Sequence, residues 1–387
     1  MQKTGGFYLK ILYVTSLSGR RINSFMRSAI IAAKQQGHEF TIASNMDAAD
    51  KELYAADCET YGIRAVHIDF ARRPWSSRNL RALKQLICLM RSEQFDVIHC
   101  NTPVGGLIGR ICAHYVRRLC VIYQAHGFHF WEGAPLKNWM LYYPVEWFLS
   151  LWTDILITIN QGDYALAQRK FRKPKLKYVH GVGVDLKRFK AENKAGTSIN
   201  SIRDALGISS DDVLLLSVGE LNRNKNHEVV IRALARCSYA NVHYAIAGTG
   251  ELKEYLQTLA TDLGISQRVH FLGFCSDMPN VYKATDVFVF PSKREGLPSV
   301  VMEAMASSLP CIVSRIRGNV DLIADNEGGY LFDPNNPKEL ADCIEKAISR
   351  RNAWPCMAAA NRKNALQFDL NVAVEELEAI YSECNEG

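Results

Sequence analysis

The chain has 387 residues and is 48% hydrophobic, which is enough to bury more than one core, so two or three domains are expected. Its formal net charge is +6, but residues 1–190 hold 27 Lys and Arg against 14 Asp and Glu, whereas residues 191–387 hold 19 against 26. No apolar run reaches the roughly 18 residues of a membrane span, and the first residues lack a signal peptide's features, so a cytoplasmic chain is predicted.

The eleven cysteines do not suggest a structural role beyond packing. No two of them share a C-x-x-C spacing, and they stand singly in apolar surroundings. We therefore expect small buried side chains in a reducing compartment, with neither a disulfide framework nor a zinc site.

The first half of the chain alternates short apolar strands with amphipathic helical stretches, as βαβ units around a parallel sheet do. The predicted strands are 9–17, 38–45, 63–70, 95–101, 119–127 and 153–160.

Residues 181–199 are rich in Gly, Lys and polar residues and read as a linker. The alternation then restarts, with strands predicted at 213–221, 242–250, 268–274, 286–292 and 310–316, and the tail from Pro337 onward is predicted to be mostly helical, without strands. The predicted fold class is therefore α/β, with two Rossmann-like doubly wound domains facing each other across a cleft.

Ligands of open parallel sheets lie at the carboxyl ends of the strands. Several common signatures are missing there: the chain has no P-loop, no complete G-x-G-x-x-G and no Asp-x-Asp. ATP hydrolysis of the P-loop kind is excluded, and neither a nicotinamide cofactor nor a metal-bridged diphosphate is supported.

Two cations follow the first strand of the second half, at Arg223 and Lys225, just before a predicted helix. Cations beside the positive end of a helix repel it unless an anion lies between them, so the pair is a candidate metal-free diphosphate clamp. A solvated turn with asparagine capping explains the same residues equally well.

Weaker candidates occupy two other strand ends. Gly250, in GTGE, would let an anion approach a helix start, although a plain tight turn explains it nearly as well. His126 ends a strand, which moderately favours function over the usual structural role of a lone histidine.

The stretch PSKREGLPSVVMEAMA, residues 291–306, holds two glutamates on either side of a Gly-Leu-Pro corner. Pro298 is predicted as the first residue of a helix, with Glu303 between one and two turns inside it and Glu295 on the preceding loop. A buried carboxylate needs hydrogen-bond donors, which the hydroxyls of sugars and ribose supply. The alternatives are a salt bridge to Lys293 or Arg294 for Glu295, and a small buried network for Glu303.

These residues resemble the signature of the retaining nucleotide-sugar glycosyltransferases of the GT-B fold. The match extends through GELNRNKN, GTGELKEYLQTLATDLGISQRVHFLGF and KATDVFVFPSKREG, and so covers most of residues 213–320. The first half, with AHGFHFWEGAPLKNWMLYYPVE, resembles the branch that builds bacterial capsule and exopolysaccharide.

The resemblance implies a role for each matching residue. Glu295 and His126 would contact the transferred sugar as the catalytic pair. Gly19 and Asn101 would lie on the acceptor side. The donor-binding residues would be Arg223, Lys225, Gly250, Gly273, Phe274, Gly296, Leu297, Pro298 and Glu303, with Glu303 on the ribose and the loop after Gly273 near the base.

Two departures from the family pattern bear on these roles. Glu220 stands where the family often has an arginine, which Arg223 could replace. The double-glycine loop after the first strand is reduced to SLSGRR, so only Gly19 carries over.

The predicted domains are 1–190, which binds the acceptor and faces the membrane, 191–365, which binds the nucleotide sugar, and a final helix within 366–387 that crosses back to the first domain. The predicted reaction transfers a hexose-type sugar, with retention, from a nucleotide diphosphate donor, UDP-based in the leading interpretation. The acceptor would be a polyprenyl-diphosphate-linked sugar, in surface polysaccharide biosynthesis. No metal, cofactor or nucleic acid is expected.

The basic runs 71–84 and 169–177 would hold the enzyme on the anionic inner face of the cell membrane. A solvated basic face is the simpler explanation of either run alone. Two other function classes stay open: a nucleotide-sugar epimerase of the same fold, and a non-catalytic module that binds membrane or nucleic acid.

Overall fold

The computed structural model describes residues 8–116, 119–190 and 199–384. The chain divides into two compact α/β units: unit 1 comprises residues 1–183 and 370–387, and unit 2 comprises Val184–Asp369.

Unit 1 alternates strands and helices from its first strand onward, as the Val- and Ile-rich runs predict. Its strands are β1 (Lys10–Val14), β2 (Glu39–Ser44), β3 (Arg64–His67), β4 (Val97–Asn101), β5 (Cys120–Ala125), β6 (Ile155–Thr158) and β7 (Lys175–Tyr178). Its helices are α1 (Ser24–Gln35), α2 (Lys51–Tyr61), α3 (Arg78–Ser92), α4 (Pro103–Val116), α5 (Leu136–Ser150), α6 (Gln161–Lys170) and, from the end of the chain, α16 (Leu370–Glu383).

The seven strands of unit 1 form one parallel sheet in the order β3-β2-β1-β4-β5-β6-β7. Alternate residues of each strand face opposite layers of helices, so Ile11 and Tyr13 join one buried cluster while Leu12 and Val14 join the other. The strand order reverses between β1 and β4, and in open sheets this switch point is where ligands bind.

The final helix α16 belongs to unit 1, where its apolar residues Val374, Leu377 and Ile380 pack into the cluster that also contains α1. The hydroxyl of Tyr381 lies 2.9 Å from Nδ1 of the buried His99, on β4. The last helix is therefore an integral part of the first unit's core.

One expectation about cysteine is wrong. Cys120, at the start of β5, and Cys384, just after α16, form a disulfide, whereas we expected none. The two residues are 264 positions apart, and only the packing of α16 on unit 1 brings them together, so no local spacing in the sequence could have indicated the pair. The other nine cysteines are free, among them Cys100, Cys112 and Cys311 in buried positions.

Unit 2 repeats the same alternation. Its strands are β8 (Val213–Val218), β9 (Val242–Ala247), β10 (Val269–Gly273), β11 (Val287–Phe290), β12 (Cys311–Ser314) and β13 (Gly329–Phe332). Its helices are α7 (Leu186–Lys190), α8 (Ile199–Ala205), α9 (His227–Leu234), α10 (Lys253–Asp262), α11 (Met278–Lys283), α12 (Ser299–Ala306), α13 (Asn319–Leu322), α14 (Pro337–Ser349) and α15 (Trp354–Ala365).

The sheet of unit 2 is also parallel, in the order β10-β9-β8-β11-β12-β13, with its switch point between β8 and β11. Helices α9, α10 and α14 cover one face, where residues such as Val230, Leu256 and Ile344 bury a continuous core against the strands. Both sheets thus have the strand order of doubly wound nucleotide-binding folds.

Part of the predicted linker, residues 191–198, lies outside the described residues. The part before it is not irregular throughout, because it includes α7 and a bridge between Val184 and Asp369. The segment from Pro337 onward is helical, as predicted. Among the helices described, none is both long and apolar enough to cross a bilayer.

Candidate functional site

Four neighbouring strands of unit 2, namely β10, β9, β8 and β11, end at the same edge of the sheet. The predicted donor-binding residues follow these four strands, so the fold collects them at one edge. The segment that leaves β8 and the one that leaves β11 flank the switch point, which is where the charged side chains meet.

Lys225 and Glu295 form an ion pair at this switch point, with 2.8 Å between Nζ and Oε1. Both side chains are largely buried, at 22% and 16% exposure, so water screens the pair only partly. The ring of Phe290 lies beneath the lysine ammonium, 5.0 Å away. The alternative we considered for Glu295 placed it against Lys293 or Arg294, but its ion-pair partner comes from the loop after β8, 70 residues earlier.

Three asparagines hold the two loops in register. Asn222 Oδ1 accepts hydrogen bonds from the backbone N–H groups of Asn224 and Lys225, which closes the turn after β8. Asn224 Nδ2 donates to the carbonyl of Arg294. Asn226, in a left-handed conformation with φ 57°, donates from its buried amide to the carbonyls of Pro291 and Pro334. The ion pair is therefore mounted on two loops that are bonded to each other.

Arg223 lies in the same turn but is exposed and does not share the position of Lys225. It lines a pocket of about 330 Å³ with the start of α9, Tyr255 and Lys293. Glu220, which stands in place of the family's arginine, accepts a hydrogen bond from Asn222 Nδ2 at 3.0 Å. The two cations of the predicted clamp thus lie on different sides of one loop: Arg223 lines the pocket, and Lys225 pairs with Glu295.

The glycines of GTGE have a packing reason in this structure. A Cβ on Gly248 would lie 1.9 Å from the carbonyl oxygen of Gly219, and one on Gly250 would lie 2.5 Å from the carbonyl oxygen of Leu221. The loop after β9 therefore runs against the loop after β8 backbone to backbone. The assignment of Gly250 to donor binding stays a prediction.

The Gly-Leu-Pro corner connects Glu295 to α12. Pro298 precedes the helix in an extended conformation, at φ −79° and ψ 116°, so it is the N-cap residue and not, as we predicted, the first helical residue. Leu297 is buried, and the backbone of Gly296 lies so near Gly318 that a Cβ on Gly318 would be 2.2 Å from the Gly296 oxygen. This packing fixes the corner and with it the direction of the Glu295 side chain.

Glu303 is the fifth residue of α12, between one and two turns in, as predicted. Burial raises the pKa of Glu303 to about 7, although the hydroxyl of Tyr282 and the charge of Arg188 act in the opposite direction. Tyr282 donates to Glu303 Oε2 at 3.0 Å. Burial of this carboxylate costs desolvation energy, and its oxygens can accept hydrogen bonds from the hydroxyls of a ligand.

Gly273 ends β10 with φ 69°, and its carbonyl accepts from the N–H of Gly248 at 2.7 Å. Phe274 follows with 83% of its surface exposed. An aromatic ring presented to solvent at a strand's carboxyl end offers a face on which a planar base can stack.

In unit 1, the predicted residues follow three adjacent strands at the switch point: Gly19 after β1, Asn101 at the end of β4, and His126 after β5. His126 Nε2 lies 2.9 Å from Asn101 Oδ1, and Phe25 packs edge-on against the imidazole at 5.1 Å. Burial lowers the pKa of His126 to about 4, so the ring is neutral at pH 7.

The residue after Asn101 is strained. Thr102 has φ 62°, a conformation that a β-branched residue rarely adopts, and its hydroxyl lies 2.9 Å from Ser16 Oγ, after β1. A Cβ on Gly105, in the first turn of α4, would come within 2.9 Å of the Thr102 hydroxyl. Gly19 shows no such constraint, because a Cβ there would meet its nearest neighbour at an ordinary 3.5 Å.

Known proteins share these two halves. Residues 198–365 match the family described as glycosyl transferases group 1, and residues 10–160 match glycosyl transferase 4-like proteins. The sequence is 38% identical to the putative glycosyltransferase EpsD of Bacillus subtilis (strain 168), over 90% of each chain. The chain belongs to the glycosyltransferase family. It is also 32% identical to the UDP-Gal:alpha-D-GlcNAc-diphosphoundecaprenol alpha-1,3-galactosyltransferase of Escherichia coli, over 79% of each.

Solved structures show the same fold. Anabaena HepE in complex with UDP aligns with a TM-score of 0.79 at 23% identity, covering 97% of this chain and all of that one. Sucrose-phosphate synthase from Thermosynechococcus elongatus aligns with a TM-score of 0.82 at 16% identity, over 98% and 99% of the two chains. The predicted fold class, two Rossmann-like domains of the GT-B kind, is confirmed.

For this glycosyltransferase, the neutral state of His126 has a definite consequence. Asn101 Nδ2 is directed towards the carbonyl of His99, at 3.4 Å, so Oδ1 is the atom that faces the imidazole and accepts its Nε2 proton. Nδ1 is then the acceptor nitrogen, and it has no hydrogen-bond partner among the residues described. This nitrogen is buried, so its hydrogen-bonding capacity is unused in the structure.

Sequence reasoning missed several residues that build the candidate site. Asn222 and Asn226 were considered only as turn or capping residues, Tyr282 not at all, and Thr102 gave no signal. The asparagine-rich turn was the one available clue, since asparagine tolerates the left-handed conformation that Asn226 adopts. Among the residues described, no three His, Cys, Asp or Glu side chains group as a metal site requires.

Proposed function

We propose that this glycosyltransferase transfers a hexose-type sugar from a UDP-sugar to a lipid-linked saccharide, with retention at the anomeric carbon, in the synthesis of a surface polysaccharide. The observation that carries the proposal is the Lys225–Glu295 pair at the switch point of unit 2. A cation for a diphosphate and a carboxylate for sugar hydroxyls are held there side by side, on loops fixed by the three asparagines.

In this proposal the donor separates the pair. The diphosphate takes the lysine ammonium, assisted by Arg223 and the N–H groups that begin α9, while Glu295 turns to the hydroxyls of the sugar. Glu303 accepts the ribose hydroxyls and Phe274 stacks on the base. In unit 1, Nδ1 of His126 accepts a hydroxyl of the transferred sugar. These positions need no metal or other cofactor to hold the donor.

The chemical step breaks the bond between the anomeric carbon and the diphosphate oxygen. The acceptor oxygen attacks from the face that the diphosphate leaves, and its proton passes to the departing phosphate oxygen. Lys225 and Arg223 stabilise the charge that develops on that leaving group, which is the largest contribution such a site makes. Glu295 orients the sugar rather than attacking it.

The relatives support the acceptor and the pathway class. By its name, the Escherichia coli relative transfers galactose from UDP-Gal to a GlcNAc-diphosphoundecaprenol. A further relative, 24% identical over 89% of this chain, is the capsular polysaccharide biosynthesis glycosyltransferase CapM of Staphylococcus aureus. With such an acceptor, the proposed site of action is the inner face of the cell membrane.

Replacing the sugar-side carboxylate tests the proposal. We expect Glu295→Gln to lower UDP release in the presence of acceptor by about 10²- to 10³-fold, with UDP affinity by calorimetry nearly unchanged. Glu254→Gln, an exposed carboxylate on α10, is the matched control and should behave like the parent enzyme. Equal loss of transfer and UDP affinity would show that Glu295 binds the nucleotide instead. Donor turnover without acceptor would favour an epimerase.

A further inference from the structure

Helix α5 presents an apolar surface to solvent. Its described residues expose seven large apolar side chains, including Leu136 at 74% and Met140 at 72%. The others are Leu141, Val145, Trp147, Phe148 and, just after the helix, Leu151. Their spacing of three, four and seven positions places them on one broad side of the helix, opposite Trp139 and Tyr142, which pack on the core.

A groove continues this surface. It encloses about 450 Å³ between α4 and α5, and its lining contains no charged or amide side chain: Leu107, Ile111, Tyr115, Pro144, Val145, Phe148, Leu149 and Trp152. An exposed helix side that joins a groove of the same chemistry is larger than the scattered apolar residues of an ordinary surface.

Cations outnumber acids around this surface, and the nearby acids each have a cationic partner. Between residues 133 and 152 the only charged side chains are Lys137 and Glu146. Glu146 is held by the buried Arg110, at 2.8 Å, and is unavailable as an outward-facing acid. Lys170, exposed at the end of α6, lies about 6 Å from the rings of Trp139 and Tyr143. Glu132, 88% exposed just before this stretch, lies 3.7 Å from Arg169. Lys137 and Lys170 therefore leave the rim with a net positive charge.

The basic run 169–177 adds fewer cations to this rim than its composition suggests. Lys173 lies 3.5 Å from Asp154, and Lys175 and Lys177 both pair with Glu383 of α16. Arg169 also lies 3.7 Å from Glu132, so four of the six cations already have acidic partners within unit 1. The cation of this run that borders α5 most directly is Lys170.

We propose that the exposed side of α5 and the α4–α5 groove insert into the boundary between headgroups and acyl chains of an anionic bilayer, with Lys137 and Lys170 on the lipid phosphates. Interfacial helices of this composition bury their apolar side about 5–10 Å deep at that boundary. This proposal rests on the proposed function, because only a lipid-linked acceptor requires the enzyme to bind the membrane. The membrane-binding surface would be α5 with the α4–α5 groove.

The charge of the rim selects a bilayer over a second copy of the chain. A twofold dimer would place the same patch of both copies face to face, and so bring Lys137 and Lys170 of each near their counterparts. Between like charges this is unfavourable, whereas anionic lipid attracts both groups.

Vesicle sedimentation tests the proposal on the full-length protein, without donor or acceptor. We expect binding to phosphatidylcholine vesicles that contain phosphatidylglycerol, and weaker but measurable binding to pure phosphatidylcholine, because apolar insertion persists when charge attraction is removed. The double variant Met140→Asp with Phe148→Asp should bind the mixed vesicles at least about tenfold more weakly, because two large apolar side chains are lost from the buried side.

The matched control introduces the same charges elsewhere in unit 1. Trp75 and Leu80 are exposed at 78% and 69% and belong to the other basic run, so Trp75→Asp with Leu80→Asp should leave vesicle binding within about twofold. Unchanged circular dichroism and UDP affinity would confirm that both double variants are folded.

Two results overturn the proposal. One is a control variant that loses as much binding as the α5 variant. The other is an absence of vesicle binding together with a concentration-dependent dimer that the α5 variant abolishes in light scattering. Failure of the proposed glycosyl transfer is separate, because transfer to a short, water-soluble saccharide diphosphate is measured without vesicles and should survive the α5 substitutions.

Discussion

The carboxyl edges of the two sheets carry opposite kinds of chemistry on the same fold. At the switch point of unit 2, Lys225 and Glu295 are charged and partly buried, and burial raises the pKa of Glu303 to about 7. At the switch point of unit 1, the side chains are Asn101 and His126, and burial keeps the imidazole neutral by lowering its pKa to about 4.

This difference suggests a division between the two units. A diphosphate leaving group requires charge at its binding site, and unit 2 provides both signs there. A sugar hydroxyl requires only a neutral acceptor, which is the role that we propose for His126 of unit 1. The following variants test this contrast between the two units.

The largest effect is expected from Lys225→Met, which removes the cation and leaves Glu295 partly buried without its partner. Transfer should fall by about 10³-fold, because the leaving diphosphate loses its point charge, and UDP affinity should fall by about tenfold. Glu295→Gln should lose transfer alone, so the two variants separate diphosphate binding from sugar orientation. Steady-state kinetics and UDP calorimetry measure the two quantities.

Lys253→Met is the control for this comparison, since it removes an exposed cation at the start of α10, one strand away. Its kinetics should match those of the parent enzyme. Unaltered UDP affinity in Lys225→Met would remove the lysine from the diphosphate site and assign that role to Arg223.

The next effect concerns the glycines of the two edges. Gly250→Ala places a Cβ 2.5 Å from the Leu221 carbonyl oxygen, so the free energy of unfolding should fall by about 3–4 kcal/mol. Gly19→Ala in unit 1 meets only an ordinary contact and should change it by less than about 0.5 kcal/mol. Urea denaturation checks both. A stable Gly250→Ala enzyme with a raised donor KM would assign this glycine to donor binding alone.

Most of the architecture follows from apolar periodicity. Eleven of the thirteen strands in the described sheets lie within predicted segments, and the two that were missed have physical reasons. Strand β7, KLKY, is an edge strand of alternating charge that reads as part of a basic run. Strand β13, GYLF, has only four residues and begins at the second of two consecutive glycines, Gly328 and Gly329.

The candidate site was less accessible from sequence. The spacing of Glu295 and Glu303 and the cations after β8 identified the loops, because those signals are local. The ion-pair partner of Glu295 could not be predicted in the same way. Lys225 lies 70 positions earlier in the chain, whereas Lys293 and Arg294 are the nearest cations in sequence. Tyr282 beside Glu303, and Cys384 beside Cys120, are likewise products of tertiary packing.

The third effect depends on pH. Because the pKa of Glu303 in the folded chain is raised to about 7, above its unfolded value, the protonated form stabilises the fold below about pH 4.5, and this stabilisation is lost as the pH rises through 7. Glu303→Gln removes that loss. We therefore compare the free energies of unfolding of Glu303→Gln and the parent at two pH values. The advantage of the variant should be about 2–3 kcal/mol larger at pH 9 than at pH 4.

The same substitution should weaken donor binding, since the amide presents a poorer acceptor to the ribose hydroxyls than the carboxylate does. A gain in stability with a loss of affinity is typical of a group retained for function. A stability difference that does not change between pH 4 and pH 9, measured in urea with both buffers at equal ionic strength, would show that Glu303 titrates normally.

The smallest effect tests the neutrality of unit 1. Asn101→Asp places a carboxylate about 2.9 Å from His126 Nε2, which raises the pKa of the imidazole and protonates Nδ1, the acceptor we assign to a sugar hydroxyl. Transfer at pH 7 should fall by about tenfold and recover as the pH rises, because the ring then loses its second proton. Asn101→Ser keeps the position neutral, so its rate should fall without a new ionisation. An identical pH profile in the two variants would mean that Asn101 only supports the strained turn at Thr102. It would also mean that unit 1 tolerates a charge at the carboxyl edge of its sheet as well as unit 2 does.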